Sequence, residues 1–447
     1  MTNRSRAFLS PRVVGLLAAA ALGPTTARAA GPSIEEAIRA AWRVHPGLAA
    51  SAAQVAASRE DAAAARDARL PSLTLSARVI GTDEPVGAFG IRMDEQRITQ
   101  SDFTPARLNG PPFIGGFGAG ATLGQPIYAG GRIAAGRRAA EAQAEAEASR
   151  HDRERDQVAL AVVEAYFSTQ VAAEGVRYAD DQLQNARETE RFVTARNREG
   201  LALDADVARA TAFRAQAEAE RATATQRLSS ARSALALLSG DELAGAELST
   251  PVDGAMPSPP AVGDESREAR ADLRAARLRL DAARGAERAA RGNLLPQLLA
   301  QASVETMRSD VDQGATWFTV ALVARWQLGL PDYRSAQAAR ARSRAADEAL
   351  RWQERQARRE VAEAHRAVEA ADARVASARE AVAASESARR LRLARHRQGL
   401  LPLTDVLDAE AGLAGARALL LRSQLEARMA RAQLALSLGI PIEGVRS

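Results

Sequence analysis

Four aspartates have the types and spacing that invite a chemical reading. Asp204 and Asp206 follow Gly200-Leu201 in "GLALDADVARATAFRA", and Asp405 and Asp408 follow Gly399-Leu400 in "GLLPLTDVLDAEAGLAGA". Each phrase runs Gly-Leu, a few turn-forming residues, Asp-Val, then a long alanine-rich stretch. Asp206 and Asp405 stand 199 residues apart, and so do Gly200 and Gly399. Acidic residues in the first turn of a helix favour the positive end of its dipole, by about 0.3–1 kcal/mol each. Thr404 and Asp204 are placed to serve as N-caps. Little else in the chain offers chemistry. There is no cysteine, which excludes disulfides, thiolate zinc sites, cysteine nucleophiles and lipid attachment at an N-terminal cysteine. His45, His151, His365 and His396 are scattered, so no metal site is expected. No nucleophile–base arrangement stands out, and neither GxxxxGK nor a dinucleotide fingerprint occurs. The expectation is a protein that is not an enzyme and takes no cofactor.

The chain has 447 residues, enough for two or three ordinary domains or one elongated one. Its 60 basic residues are all arginine, against 55 acids, for a net charge of +5. Such a balance suggests nucleic acid, but acids and arginines alternate, as in "RHDRERD" and "RWQERQARRE". Mixed signs describe solvated helix faces, so nucleic-acid binding is not expected. The start is more informative. "MTNRSRAFLSPR" holds three arginines and no acid, a short apolar run covers 13–22, and "TARA" ends in Ala27-Arg28-Ala29. This is a secretory signal over 1–29, cleaved after Ala29. No stretch has the roughly 20 apolar residues that a membrane-spanning helix needs.

The elements that carry the aspartates occur twice. "LPSLTLSARV" at 70–79 matches "LPQLLAQASV" at 295–304, offset by 225, whereas "ALALLSG" at 234–240 matches "ALSLG" at 435–439, offset by 199. The shrinking offset places an insertion between residues 79 and 200, in the glycine- and proline-rich "GTDEPVGAFG…LNGPPFIGGFG". The chain is therefore an internal duplication with one enlarged loop. The first repeat spans 30–240, a linker 241–263, the second repeat 264–440, and a short tail 441–447.

In the first repeat a helix over 33–69 begins with the capping box Ser33 and Glu36 and ends before Pro71. "SLTLSARV" then alternates, with Leu73, Leu75, Ala77 and Val79 on one side. A second alternating run covers 117–127. A long helix over 131–198, a turn at Gly200 and a return helix to Gly240 follow. The second repeat has a helix over 264–291 and strands over 297–306 and 316–328. Its long helix spans 332–398, and a return helix runs to Gly439. Each long helix, roughly 68 residues, is about 100 Å long. If the short helices of a half stack end to end beside it, each half is a plank with strands at one end and the Gly-Leu turn at the other. Four strands with apolar and polar faces leave open edges that closure with other copies would remove. Apolar outside and polar inside is the pattern of an outer-membrane barrel. Phe117, Tyr128, Trp317, Phe318 and Trp326 fall near strand ends, where an aromatic girdle would sit.

With that order, with "LGQPIYAGGR" entering the first long helix and with "TDVLDAE" at 404–410, nearly the whole mature chain resembles the TolC-like outer membrane efflux protein family. The resemblance implies a mostly α fold with a small β part. Duplicated long-helix planks of three protomers form an α-barrel across the periplasm, and four strands per chain contribute to a twelve-stranded outer-membrane β-barrel. It also implies an acidic gate at the periplasmic tips. Asp405 and Asp408 would face the lumen, with Asp204 and Asp206 in the matching positions of the other tip. Three copies would ring the mouth with carboxylates that attract cations and repel anions, and mutual repulsion would push some of their pKa values up. The implied partners are two further copies of the chain, a periplasmic adaptor, an inner-membrane pump and outer-membrane lipid. The chain would be a passive exit duct of a tripartite efflux or type I secretion system. Where the archetype has a tyrosine and an arginine that help hold the tip shut, this sequence has His396 and Leu401. His396 reads as an exposed helix histidine, with a pH-sensitive contact as the alternative. Rival readings are an exported structural coiled-coil protein and the periplasmic adaptor itself. The cargo is not written in these residues.

Overall fold

A computed structural model describes residues 31–243, 245–254, 270–310 and 313–442. The expected signal sequence, residues 255–263 of the linker, the first six residues of the helix expected over 264–291 and residues 443–447 of the tail lie outside the described residues. Along the chain come α1 (Ile34–Val44), α2 (Pro46–Asp67), β1 (Ser72–Thr82), α3 (Pro85–Asp94), α4 (Pro105–Asn109) and β2 (Ile114–Ala129). Then follow α5 (Arg132–Arg198), α6 (Asp204–Ser239), α7 (Ala271–Gly292), β3 (Gln297–Asp310), β4 (Gln313–Arg325), α8 (Leu330–Arg397) and α9 (Leu403–Leu438).

Local sequence explains most of the boundaries. Ser33 caps α1 through its hydroxyl, which accepts from Glu36 N, while the Glu36 carboxylate accepts from Ser33 N at 2.8 Å. The helix expected over 33–69 is in fact two. Proline has no N–H and its ring clashes with the carbonyl four residues back. Pro46 therefore breaks the run and restarts it at the first position of α2, with extended His45 closing one helix and opening the next. The insertion expected as a loop is also more ordered than a loop. It holds α3, a 3-10 turn (Gln100–Phe103) and α4.

The long helices α5 and α8 contain 67 and 68 residues, so each is about 100 Å long. α5 packs against α6 on one side and α7 and α9 on the other, and α8 closes the plank beside α7 and α9. α6 ends beside α1, and α2 carries that line to the sheet. The other line passes from α9 to α7, where Arg270 Nη1 donates to Ser437 O at 3.0 Å. Small residues let these helices approach closely. A Cβ on Gly285 of α7 would lie 2.9 Å from Ala139 Cβ of α5.

The main core lies midway along the plank, where Ile34, Ile38, Val162, Val163, Tyr166, Phe167 and Leu235 are buried together. Tyr166 Oη donates to Pro32 O and accepts from Thr250 N, both at 2.9 Å, tying the start of the first repeat to the linker. Arg428 donates from Nε to Val252 O at 3.1 Å and from Nη2 to Pro251 O at 2.7 Å, with its guanidinium 4.7 Å from the Phe167 ring. Nearby, burial works against the charge on Asp272. Hydrogen bonds from Arg270 and the positive charges of Arg270 and Arg153 outweigh it and hold that carboxyl below its ordinary value.

The four strands form one antiparallel sheet in the order β1-β2-β3-β4. Register fixes the faces. Leu75 pairs with Ala121, Ala121 with Val304, and Val304 with Phe318, so these share a face with Leu73, Val79, Val320 and Leu322. That face is apolar and exposed in the single chain. The other carries Thr74, Thr122, Ser303 and Thr319 in one row and Ser76, Gly120, Glu305 and Trp317 in the next. Trp317 therefore lies on the polar face and not in an outward girdle. Adjacent residues in a strand point to opposite sides, so Trp317 and Phe318 cannot both face outward. Among the described residues neither edge strand, β1 or β4, has a second partner.

Candidate functional site

The two turns at the far end of the plank are built alike. At the first, Gly200 adopts the left-handed conformation (φ 74°), Gly200 N donates to Asn197 O, and Leu201 N donates to Arg196 O at 2.8 Å. At the second, Gly399 (φ 78°) donates to His396 O, and Leu400 N to Arg395 O at 2.9 Å. Glycine takes this conformation without the steric cost that a Cβ brings, and the hydrogen bonds satisfy carbonyls left open at a helix end.

A side chain then closes each turn. Asn197 Nδ2 donates to Ala202 O at 2.9 Å, and His396 Nδ1 sits 2.8 Å from Leu401 O. A carbonyl oxygen only accepts, so Nδ1 carries the proton in that contact. His396 and Asn197 occupy equivalent positions 199 residues apart and do the same job. His396 is half-buried and meets the Phe192 ring edge-on, 6.1 Å between centroids. The exposed histidine read from the sequence is thus corrected, because the tight turn folds Leu401 back onto the ring. Leu401 itself contributes its backbone oxygen.

Neither predicted cap is one. α6 begins at Asp204 with Leu203 as its N-cap, and α9 begins at Leu403 with Pro402 as its N-cap; neither cap makes a side-chain bond. Asp204 is exposed and accepts from Asn197 Nδ2 at 3.0 Å. Asp206 and Asp405 are half-exposed in the first turns of α6 and α9, and Asp408 is exposed one turn further on. The two turns of one chain touch through Val193, Ala210 and Leu403. Arg392 Nη1 donates to the backbone oxygen of Asp405 at 3.3 Å, leaving its carboxylate free of that arginine.

Above the turns, a groove of about 1280 Å³ runs between α5, α6 and α9 and includes Asp408, Arg209 and Tyr178 in its lining. Two arginines, not singled out from the sequence, knit its wall. Arg389 of α8 pairs with buried Glu410 of α9 at 2.6 Å. Arg417 of α9 reaches Glu386 at 3.3 Å and Asp181 of α5 at 3.8 Å, and lies 4.8 Å from the Tyr178 ring. The contact from Arg417 to Asp181 joins the two helical pairs, and no sequence spacing announces it.

At the opposite end, the polar sheet face offers Arg78, Glu305 and Arg325 among small hydroxyl residues and glycines. Among the described residues no cluster of ligating side chains could hold a metal ion, and none of the helices is long and apolar enough to cross a membrane.

A long-helix plank with a small exposed-face sheet is a specific combination, and a family model matches it in sequence. The model of the outer membrane efflux protein family matches residues 37–241 and 262–440. The chain belongs to that family. No curated protein sequence matches it closely. Its fold is that of solved channels. It resembles the CmeC outer membrane channel of Campylobacter jejuni over 92% of this chain and 86% of that one, at 15% identity and TM-score 0.80. The open-state MtrE outer membrane channel of Neisseria gonorrhoeae aligns over 94% and 91%, at 22% identity and TM-score 0.75. VceC of Vibrio cholerae aligns over 92% and 97%, at 21% and 0.73.

The efflux protein is thus an outer-membrane channel component that extends into the periplasm, and not an enzyme. On the apolar face Phe117 and Tyr128 lie near opposite ends of β2 and Trp326 just past the end of β4, whereas Phe318, paired with Val304, lies near the middle of β4 and not at a strand end.

Proposed function

We propose that three copies of this chain form the exit duct of a tripartite efflux or type I secretion system, with a periplasmic adaptor and an inner-membrane pump as partners. The observation that carries the reading is the unclosed sheet. One face exposes Leu73, Leu75, Val79, Phe318, Val320 and Leu322, and among the described residues the outer edges of β1 and β4 have no strand beside them. Unpaired strand edges in hydrocarbon cost several kcal/mol per group, and a closed barrel removes them. The repeats, 30–240 and 264–440, supply four strands per chain, and three chains supply twelve. The same operation sets α8 of one chain beside α2 and α6 of the next and closes the helical wall.

The periplasmic mouth is the acidic gate in this reading. Asp405 and Asp408, with Asp204 and Asp206 on the neighbouring tip, ring the opening with carboxylates that raise the local cation concentration and repel anions. The passage is passive, because the chain has no phosphate-binding motif. The structural coiled-coil and adaptor alternatives have no use for a sheet with one apolar exposed face.

The test places charge on the lipid face. An arginine there costs about 2–4 kcal/mol near the bilayer midplane. Val320→Arg with Leu322→Arg is expected to abolish trimers in the outer membrane, whereas Thr319→Arg on the polar face leaves them intact. Equal assembly of both variants contradicts the barrel.

A further inference from the structure

The two hairpins are closed very differently at their outer ends. β3 and β4 are joined by residues 311–312 alone, whereas residues 83–113 connect β1 to β2 and carry α3, the 3-10 turn and α4. This long connection is a folded unit. Asp102 accepts from Thr99 N at 2.8 Å and Thr99 Oγ1 at 2.9 Å, and pairs with Arg92 at 2.8 Å and Arg107 at 3.5 Å. One carboxylate thereby ties α3, the 3-10 turn and α4 together. Phe89 and Phe103 pack edge-to-face with centroids 5.7 Å apart.

The unit rests on the polar face of the sheet. Gly118 pairs with Arg78 on one side and Met307 on the other, in the row of the polar face nearest the outer end that spans β1, β2 and β3. Met307 is only 2% exposed, although its strand neighbours on that face stand more open. α3 packs on β2 and β3 there, with Ala88 and Ile91 buried beneath it. A Cβ on Gly116 would point from the polar face to within 3.0 Å of Glu95 Oε1 and 3.2 Å of Met307 Sδ. Glu95 is buried, and Arg97 Nη1 reaches both Glu95 Oε2 at 3.3 Å and Ser309 Oγ of β3 at 2.5 Å. Glycines at 116 and 118 leave the floor on which the unit sits, because a side chain at 116 would occupy the space that Glu95 and Met307 fill.

We propose that this unit is a cap that folds into the outer mouth of the duct and sets the size of what leaves it. The inference rests on the trimeric reading above, in which the polar face lines the lumen. A twelve-stranded barrel with strands about 4.8 Å apart and tilted about 40° has a backbone diameter of roughly 24 Å. A helix with its side chains is about 10 Å across. Three caps on the inner wall occupy most of the bore at that level. The exit is therefore narrow at its outer rim as well as at the periplasmic tips, and α3 selects cargo by size after the tips have admitted it.

The cysteine-free chain permits a direct test on intact cells. Ser303→Cys puts a thiol on the polar face, below the cap, and Val320→Cys puts one on the lipid face. Each is exposed to a small membrane-impermeant maleimide and to a bulky polyethylene-glycol maleimide, in the intact chain, in Ala88→Glu and in a variant whose residues 84–112 are replaced by a two-residue turn. Ala88→Glu places an unpaired charge under α3, a change that undocks packed elements. The cap-free variant covers the case in which Ala88→Glu fails to fold. The small reagent is expected to label the Ser303→Cys thiol in all three backgrounds. The bulky one labels that thiol slowly in the intact chain and about tenfold faster in both cap variants, as an undocked cap no longer blocks the mouth. Equal bulky-reagent rates with and without the cap overturn the cap while leaving the duct standing. Labelling of the Val320→Cys variant but not of the Ser303→Cys variant by the small reagent overturns the face assignment, and with it the duct.

Discussion

The two ends of the duplicated plan have diverged unequally. At the periplasmic end the turns match nearly atom for atom, with Gly200 and Gly399 at φ 74° and 78° and Asn197 and His396 bonding the equivalent carbonyls. At the outer end one hairpin closes over residues 311–312, and the other carries a cap with its own small core. The matched end is the one where, in the proposed trimer, both turns alternate around a single mouth, so a change in either alters the shape of the ring. The unmatched end imposes no such equality, and a connection there can grow without disturbing strand register.

The largest expected effect lies at the aspartates of the two turns. Removing Asp405 and Asp408 together by substitution with alanine is expected to lower the cation preference of channels in planar bilayers several-fold. The pair Asp204→Ala and Asp206→Ala should move it in the same direction by less, since Asp204 is already engaged by Asn197. Unchanged selectivity in both double variants would show that the acids serve only their helix ends.

A smaller effect tests the equivalence of the turn-closing side chains. His396→Ala loses the bond to Leu401 O and should lower unfolding stability by about 1 kcal/mol, and Asn197→Ala, which loses the bonds to Ala202 O and to exposed Asp204, should cost at least as much. His396→Asn keeps a donor and should recover most of the loss. If His396→Asn is as costly as His396→Ala, the imidazole acts through its packing on Phe192 and not through Leu401.

Much of this architecture can be read from the chain, and the failures have physical causes. The alternation in "SLTLSARV" sets the faces of β1, and the changing repeat offset locates the cap, because a period of two and a duplicated register survive in sequence. The break at Pro46 is masked by an alanine-rich run whose composition favours helix throughout. The order within the insertion depends on Asp102 bridging residues from three short segments, a contact that spacing does not show. The caps fall one and two residues before the expected Asp204 and Thr404, since Leu203 and Pro402, and not polar residues, take those positions. At the tips, the repeated Gly-Leu-Asp phrases are legible. The turn-closing pair leaves a signal, Asn and His at the same offset as the glycines, yet different residue types conceal a shared geometry. The charge contacts Arg389–Glu410, across one turn, and Arg417–Asp181, between distant helices, follow no helical spacing and leave no local trace.

The smallest effect concerns the cap, the part with no counterpart in the other hairpin. The Thr99 backbone N–H and hydroxyl, aided by Arg92 and Arg107, hold the Asp102 carboxyl below its ordinary value. An acid whose folded pKa is depressed contributes stability that is present above its unfolded pKa and lost as pH falls through the folded one. Exchange of cap amides is therefore expected to be constant near neutrality and to rise in excess of the β3–β4 hairpin below about pH 4. Asp102→Asn should remove that pH dependence.

Whether this chain closes a membrane duct with two further copies of itself is decided by its native mass after detergent extraction of the outer-membrane fraction. A species of three chains that resists dissociation in mild detergent is expected. A monomer or dimer recovered from the soluble periplasmic fraction would contradict it.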